Sequence, residues 1–216
     1  MSKILIISDT HFASKVDERL ALLKNLIPQY DQVIINGDFW DCYLTTWNRF
    51  VKSGWSELFP LLKSKNTIYI YGNHDHPNRM DEKVSLFSNH QMWSLEIESE
   101  GYNIHIEHGN GIIPSLEEVF PFITKSRKLI KLEYRIFDGL VRKHLLPFIK
   151  YGRRMNNKML KKFRGKDGKS ILVTGHLHFP ESRNEQMFYN SGLIRWNRLD
   201  YIEILDGKIN LVKSSY

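Results

Sequence analysis

Thiols are almost missing from this chain of 216 residues, in which Cys42 stands alone. One cysteine closes no internal disulfide, so stability must come from a packed core, and the reducing cytoplasm is the expected location. No apolar run is long enough to cross a bilayer, and no basic leader or small-residue cleavage site precedes Lys3-Ile4-Leu5-Ile6-Ile7. Neither a transmembrane segment nor a secretion signal is therefore expected. Internal repeats and low-complexity tracts are absent as well. Acidic residues are scarce in one place: Lys125 to Lys169 holds 16 Lys and Arg against 3 Asp and Glu, a local +13, whereas the remainder, with 15 against 21, carries −6. The net charge of +7 thus describes one basic segment set into a near-neutral to acidic body. A chain of this length fits one domain, 1–216, and such a domain buries roughly 70% of the surface its unfolded form exposes.

What is present is a series of short apolar runs that end alike. Lys3 to Ile7 runs into Ser8-Asp9-Thr10-His11, Val33-Ile34-Ile35 into Asn36-Gly37-Asp38, and Thr67 to Tyr71 into Gly72-Asn73-His74-Asp75-His76. Tyr102 to Glu107 leads to His108-Gly109, and Ser170 to Thr174 to Gly175-His176-Leu177-His178. Each reads as a strand whose carboxyl end opens into a turn, and the carboxyl edge of an α/β sheet is where ligands bind. Helical spacing over Val16 to Ile27, stopped by Pro28, and over Trp47 to Lys63, broken around Gly54, gives β-α-β-α-β and hence parallel strands with right-handed crossovers. Met92 to Glu98 and Tyr102 to Glu107 alternate around Gly101 as a hairpin does. Ile113 to Phe163 is helical in pattern with breaks at Pro147 and Gly152, and Lys161 to Lys169 reads as a basic linker. Glu185 to Tyr189, Tyr201 to Leu205 and Lys208 to Val212 have strand character, the last two joined by the hairpin dipeptide Asp206-Gly207.

Collected, the strand-end groups are Asp9, His11, Asp38, Asn73, His74, His108, His176 and His178. Without His74 they number two carboxylates, one amide and four imidazoles, too many donors for one structural zinc and with no thiolate among them. Mixed oxygen and nitrogen donors suit Mn2+, Fe or Zn2+. Two ions are implied, because a carboxylate between cations roughly 3.5 to 4 Å apart can bridge both, and such a pair generates hydroxide at neutral pH and clamps a transferring phosphoryl group. The leaving oxygen then needs a proton, and His74 is placed to give it.

These blocks, D-x-H, GD, GNH, a later His before glycine, and GH-x-H, occur in that order from Asp9 to His178 and resemble the calcineurin-like metallophosphoesterases. The resemblance implies a four-layer α-β-β-α sandwich carrying a basic helical insert, 115–169, as a cap. It also implies one metal held by Asp9, His11, Asp38 and His178 and another by Asp38, Asn73, His108 and His176, with Asp38 bridging. His74 resembles the family's acid and Asp75 its orienting partner. The two cations are expected to be Mn2+, with Fe, Zn or Ni as substitutes. Within that superfamily the chain looks most like the UDP-2,3-diacylglucosamine pyrophosphatases, by its size, Gly37-Asp38-Phe39-Trp40-Asp41-Cys42-Tyr43, the turn His108-Gly109-Asn110-Gly111, and the GH-x-H-x-P that ends at Pro180. It departs from them at His74, where those enzymes typically carry arginine.

Set against these are plainer readings. His76, His90, His105 and His144 match no block and read as structural or solvated. Trp40, Trp47 and Trp55 read as packing, and Asn190-Ser191-Gly192 as either a strand-connecting turn or one resembling the turn after GH-x-H. Asp41 reads either as a residue that orients the metal shell or as a turn cap. The cationic stretch 125–169 has apolar residues at helical spacing, which suits an anionic membrane surface or a phosphate backbone as well as solvent. Arg153, Arg154 and Lys158 are its candidates for substrate phosphate. The expectation is hydrolysis of a phosphodiester, pyrophosphate or phosphomonoester, with a lipid-linked substrate at a membrane face preferred. The alternatives are a nuclease or nucleotide phosphodiesterase, and a non-catalytic metal-binding scaffold.

Overall fold

The computed structural model describes residues 3–99, 101–120, 129–130, 132, 136, 139, 146–164 and 170–216. Along the chain its strands are β1 (Lys3–Ile7), β2 (Gln32–Asn36), β3 (Ile68–Ile70), β4 (His90–Met92), β5 (Ser94–Ser99), β6 (Tyr102–Glu107), β7 (Ile171–Thr174), β8 (Glu181–Arg183), β9 (Phe188–Asn190), β10 (Leu199–Leu205) and β11 (Lys208–Ser214). The helices named here are α1 (Arg19–Leu26), α2 (Trp47–Val51), α3 (Phe59–Ser64), α4 (Leu116–Val119) and α5 (Leu146–Arg164).

Two sheets result, in the orders β11-β10-β1-β2-β3-β4 and β5-β6-β7-β9-β8. β1 to β4 pair in parallel in the first, and β6, β7 and β9 in the second. The period-two alternation of the strands makes the layers. In β1, Ile4 and Ile6 point into the space between the sheets with Ile34, Ile70, Ile106, Val173 and Ile202, while Leu5 and Ile7 face an outer cluster with Leu23, Phe50, Trp55 and Leu62. On the far side of the second sheet, Met159 and Phe163 of α5 pack on Leu172 and Phe188. Helix, sheet, sheet, helix is the four-layer order expected. Trp40, Trp47 and Trp55 are buried in the outer cluster, as packing residues.

Five local expectations are corrected. The first helix is shorter than Val16 to Ile27: α1 ends at Leu26, and Ile27–Gln29 tighten into a 3-10 turn around Pro28. The run from Met92 to Glu98 is not one strand, because the chain changes sheets at Trp93, leaving β4 beside β3 and sending β5 to hairpin with β6. Glu185 to Tyr189 is not one strand either: Asn184–Gln186 form a 3-10 turn, Met187 is left-handed at φ 50, and pairing begins at Phe188. Nor do Pro147 and Gly152 break the insert. Pro147 sits in the first turn of α5, where a missing N–H costs nothing, and a side chain at Gly152 would run into the Phe179 ring. Lys161 to Arg164 continue that helix, and 165–169 lies outside the described residues, as do His144 and much of 121–145. Among the described residues no helix is long and apolar enough to cross a membrane.

Candidate metal centre

Because β1, β2, β3, β6 and β7 are parallel wherever they neighbour one another, their carboxyl ends emerge along one edge of the sandwich. The first two loops are stapled together there, with the Asp9 amide donating to Gly37 O (3.1 Å) and the His11 amide to Asp38 O (2.9 Å). Side chains tie in the others. The His74 amide donates to Asp38 Oδ1 (2.9 Å), and the His176 amide donates to Asp9 Oδ2 (3.0 Å). Close approach of these loops is why two glycines recur: a methyl at Gly72 would fall on the Asp38 carboxylate, and one at Gly175 on that of Asp9. Asp9, His11, Asp38, His176 and His178 all have positive φ, between 47 and 67. That region costs a residue with a Cβ on the order of 1 kcal/mol or more, and such strain concentrates where side chains are aimed for a purpose.

The aim is convergent. His11 Nε2 lies 3.0 Å from His178 Nε2, and His178 Nε2 lies 3.1 Å from Asp9 Oδ1. Asp38 Oδ2 is 3.3 Å from His108 Nε2 and 3.7 Å from His11 Nε2, so it stands between two groups of donors. One potential ligand atom each from Asp9, His11 and His178, and one each from Asp38, His108 and His176, lie within 4.8 Å of one another. The far ring nitrogens are tied down. His108 Nδ1 pairs with Asn36 O (2.9 Å), His176 Nε2 with Ile113 O (2.8 Å), and His11 Nδ1 with Asp41 Oδ2 (3.1 Å). In the neutral ring, donating an N–H to an oxygen leaves the opposite nitrogen with a lone pair, which is how imidazole is prepared for a cation. Asn73 Oδ1 and His108 Nε2 are buried without a hydrogen-bond partner. Unsatisfied buried polar atoms are rare and call for an explanation, and a cation supplies one here. The residues present therefore fit divalent metal.

Electrostatics say the same. Burial disfavours charge on every group, yet Asp38 stays well below the ordinary carboxylate range because His108, His74 and His11 outweigh it, and Asp9 is lowered by His108 and His178. Against the same burial, Asp38 and Asp9 push His108 up to about 10, and Asp38, Asp41 and Glu117 push His74 up to about 10. Burial and the neighbouring His74 take His11 down to about 4, while burial and His108 take His176 down to about 3. Buried carboxylates thus draw positive charge to the cluster.

All seven expected ligands meet at this edge, with His74 beside them: its Nε2 is 3.8 Å from Asp38 Oδ2. Asp75 is not where it was expected to act. Its carboxylate accepts from the amides of Phe39 (2.8 Å) and Gly72 (2.7 Å) and from the Tyr69 hydroxyl, bracing the loops, and burial pushes it up to about 6. The carboxylate at His74 Nδ1 is that of Asp41, 3.3 Å away, which also caps its own turn by accepting from the Tyr43 amide (2.9 Å). Glu117, 3.9 Å from His74 Nε2, had no distinguishing signal in a helical run. Asn190 of the expected turn donates to Gly175 O (2.8 Å), and Ser191 Oγ lies 2.6 Å from Ser8 Oγ, supporting the Asp9 loop from behind.

A cavity of about 330 Å³ opens on the cluster, lined by His11, Asp38, Asn73, His74, His176 and His178 together with Ile113, Val119, Tyr151, Met155, Leu177 and Trp196 and the charged Glu117 and Arg195. Lys158 reaches this cavity, but Arg153 borders a separate cleft with Asn157 and Arg183, and Arg154 is exposed on neither wall. The helical period explains the split, since residues 151, 155 and 158 share one side of α5 and 153 and 157 another.

Residues 2–180 match the family model of the calcineurin-like phosphoesterases. No curated protein matches the chain. Among solved structures it is similar to a Thermotoga maritima protein determined in solution, at 20% identity over 100% of both chains with a TM-score of 0.47. It is also similar to Yfce, a phosphoesterase from E. coli, at 16% identity over 97% of this chain and 98% of that one (TM-score 0.46). A third is a single mutant of Vps29 from Entamoeba histolytica, at 14% identity over 99% of each (TM-score 0.46). With the family model spanning most of its length and the matching residues gathered at one sheet edge, the chain belongs to the calcineurin-like phosphoesterases.

Proposed function

We propose that the protein is a dinuclear metal-dependent phosphoesterase acting on a phosphodiester or pyrophosphate whose substituent is lipid-like. The supporting observation is the pairing of two convergent donor groups around Asp38 with the unpartnered buried atoms Asn73 Oδ1 and His108 Nε2. Asp9, His11, Asp38 and His178 would hold one ion, and Asp38, Asn73, His108 and His176 the other. Mn2+ is preferred for oxygen and nitrogen donors without thiolate, and Fe, Zn or Ni could take its place. Cations so held acidify water and offset charge on phosphoryl oxygens.

The chain's own groups do the rest. With Asp41 3.3 Å from its Nδ1, the Nε2 of His74 is turned to the cluster, where it would protonate a leaving oxygen. Lys158 stands at the cavity for substrate phosphate. The apolar side chains lining the cavity, Ile113, Met155 and Leu177 among them, offer a seat for a non-polar substituent. Leu129, Leu132, Ile136 and Tyr151 are exposed along the basic segment, a combination that favours peripheral contact with an anionic membrane at the cytoplasmic face. The excess of 13 positive charges over Lys125 to Lys169 favours a second reading, a nuclease or nucleotide phosphodiesterase. A panel of a UDP-acylated sugar, cyclic nucleotides, single-stranded DNA and simple monoesters, with Mn2+ and with chelator, decides between them. Metal-dependent cleavage fastest on the acylated sugar is expected; faster cleavage of DNA or cyclic nucleotides overturns the lipid assignment, and no metal-dependent cleavage overturns the enzyme.

A further inference from the structure

The turn from Arg195 to Arg198 stands apart from the rest of the rim. Arg195 and Arg198 exchange backbone hydrogen bonds (3.0 and 3.2 Å), so Trp196 and Asn197 are the two central residues of a tight hairpin turn. Both are left-handed, at φ 56 and φ 61. Such a turn is the one that Asn-Gly fills without strain, and a bulky aromatic at its first central position is an outlier. The indole gains little from the core in return, for Trp196 belongs to none of the three buried apolar clusters. It stands instead at a seam. The 330 Å³ cavity over the donor cluster and a wider cleft of about 1120 Å³ lined by Lys15, Arg198 and Lys213 share three residues, His11, Arg195 and Trp196. The Arg195 guanidinium lies over the indole, 4.7 Å from the ring centroid, and holds its orientation.

We propose that this turn is the specificity element of the site, with Trp196 as the wall that receives the apolar arm of a phosphoester and separates it from the wider charged cleft. The inference rests on the phosphoesterase reading above and adds to it the residue that selects the substrate arm. Met155 and Leu177 complete the wall. Each methylene buried against it is worth up to about fourfold in kcat/KM.

The test uses the full chain with Mn2+ and a series of alkyl p-nitrophenyl phosphates from methyl to hexyl. In the native protein, kcat/KM should rise at least tenfold across the series, carried by KM rather than kcat. In W196N, whose Asn suits the left-handed turn, the hexyl-to-methyl ratio should fall to about threefold or less, and W196F should restore most of it. If W196N does not melt cooperatively, W196F and W196L read the same ratio, which should decline with the size of the side chain. A flat series in the native protein, or one ratio shared by all variants, overturns the role of Trp196 while leaving the hydrolase intact. Failure of the native protein to cleave any ester with Mn2+ overturns the underlying reading instead.

Discussion

Replacing Asp41 by Asn is the perturbation that separates a prepared metal site from a chance gathering of polar groups. Asp41 is fully buried, and its Oδ2 takes the Nδ1 proton of His11 at 3.1 Å while Oδ1 lies 3.3 Å from His74 Nδ1. Burial alone would raise its carboxyl, but His74 and His11 hold it well below the usual carboxylate range, so it is an anion throughout the working pH range. In D41N the side-chain carbonyl keeps the acceptor role toward the Tyr43 and Leu44 amides, which places NH2 against His11 Nδ1. The His11 ring must then accept at Nδ1 and carry its proton on Nε2, the nitrogen that meets His178 Nε2 at 3.0 Å. A donor set by its partner becomes unavailable. Loss of an outer-shell partner of this kind lowers metal affinity by about 10- to 100-fold, or about 1.4 to 2.8 kcal/mol. Calorimetric titration of the metal-stripped protein with Mn2+ measures it directly, and turnover at saturating Mn2+ should fall further because the carbonyl left at His74 Nδ1 is neutral and holds the ring less strongly than the carboxylate did. Native Mn2+ affinity in a folded D41N protein would refute the tautomer argument.

Other outcomes follow from the same geometry. H74N should bind Mn2+ as the native protein does yet turn over about 10² to 10⁴ times more slowly, most severely for esters with poor leaving groups; an equal rate removes His74 as the proton donor. G72A pushes a methyl onto the Asp38 carboxylate, and overpacking of that kind costs about 1 to 3 kcal/mol, so thermal melting should show a loss of several degrees together with weakened metal binding. His105 tests the electrostatics far from the site. Hydrogen bonds to Glu107 and Glu96, opposed by partial burial, push it up to about 9 from 6.5, so its charged form stabilises the fold fully below pH 6.5 and that stability is lost as pH rises through 9. Because Glu96 is about half exposed, the effect is discounted to about 1 kcal/mol, read as the difference between native and H105Q melting at pH 6 and pH 10.

Much of the site is legible in the chain because each donor follows a strand end directly. Parity along β1 and β2 decides which of the two apolar clusters each buried residue joins, and the glycines before Asp38, Asn73 and His176 mark where the backbone must turn away. Choices made by tertiary contact are not legible in that way. Asp75 follows His74 directly, yet the Phe39 and Gly72 amides capture it, and Asp41, a plausible turn cap from its spacing, serves as cap and as imidazole anchor at once. Arg153 and Lys158 look equivalent in a basic run until the phase of α5 against Phe179 and Leu172 sends one to the cavity and the other away. The exchange of sheets at Trp93 was hidden for a related reason, since an alternating pattern shows which faces are apolar but not which neighbour a strand will pair with.

The proposed place of Asp38 is between two cations, and diffraction from crystals soaked in Mn2+, recorded at the manganese edge, tests that directly. Two anomalous peaks about 3.5 to 4 Å apart are expected, one among Asp9, His11 and His178 and the other among Asn73, His108 and His176, with Asp38 touching both. A single peak, or two that Asp38 does not join, would contradict it.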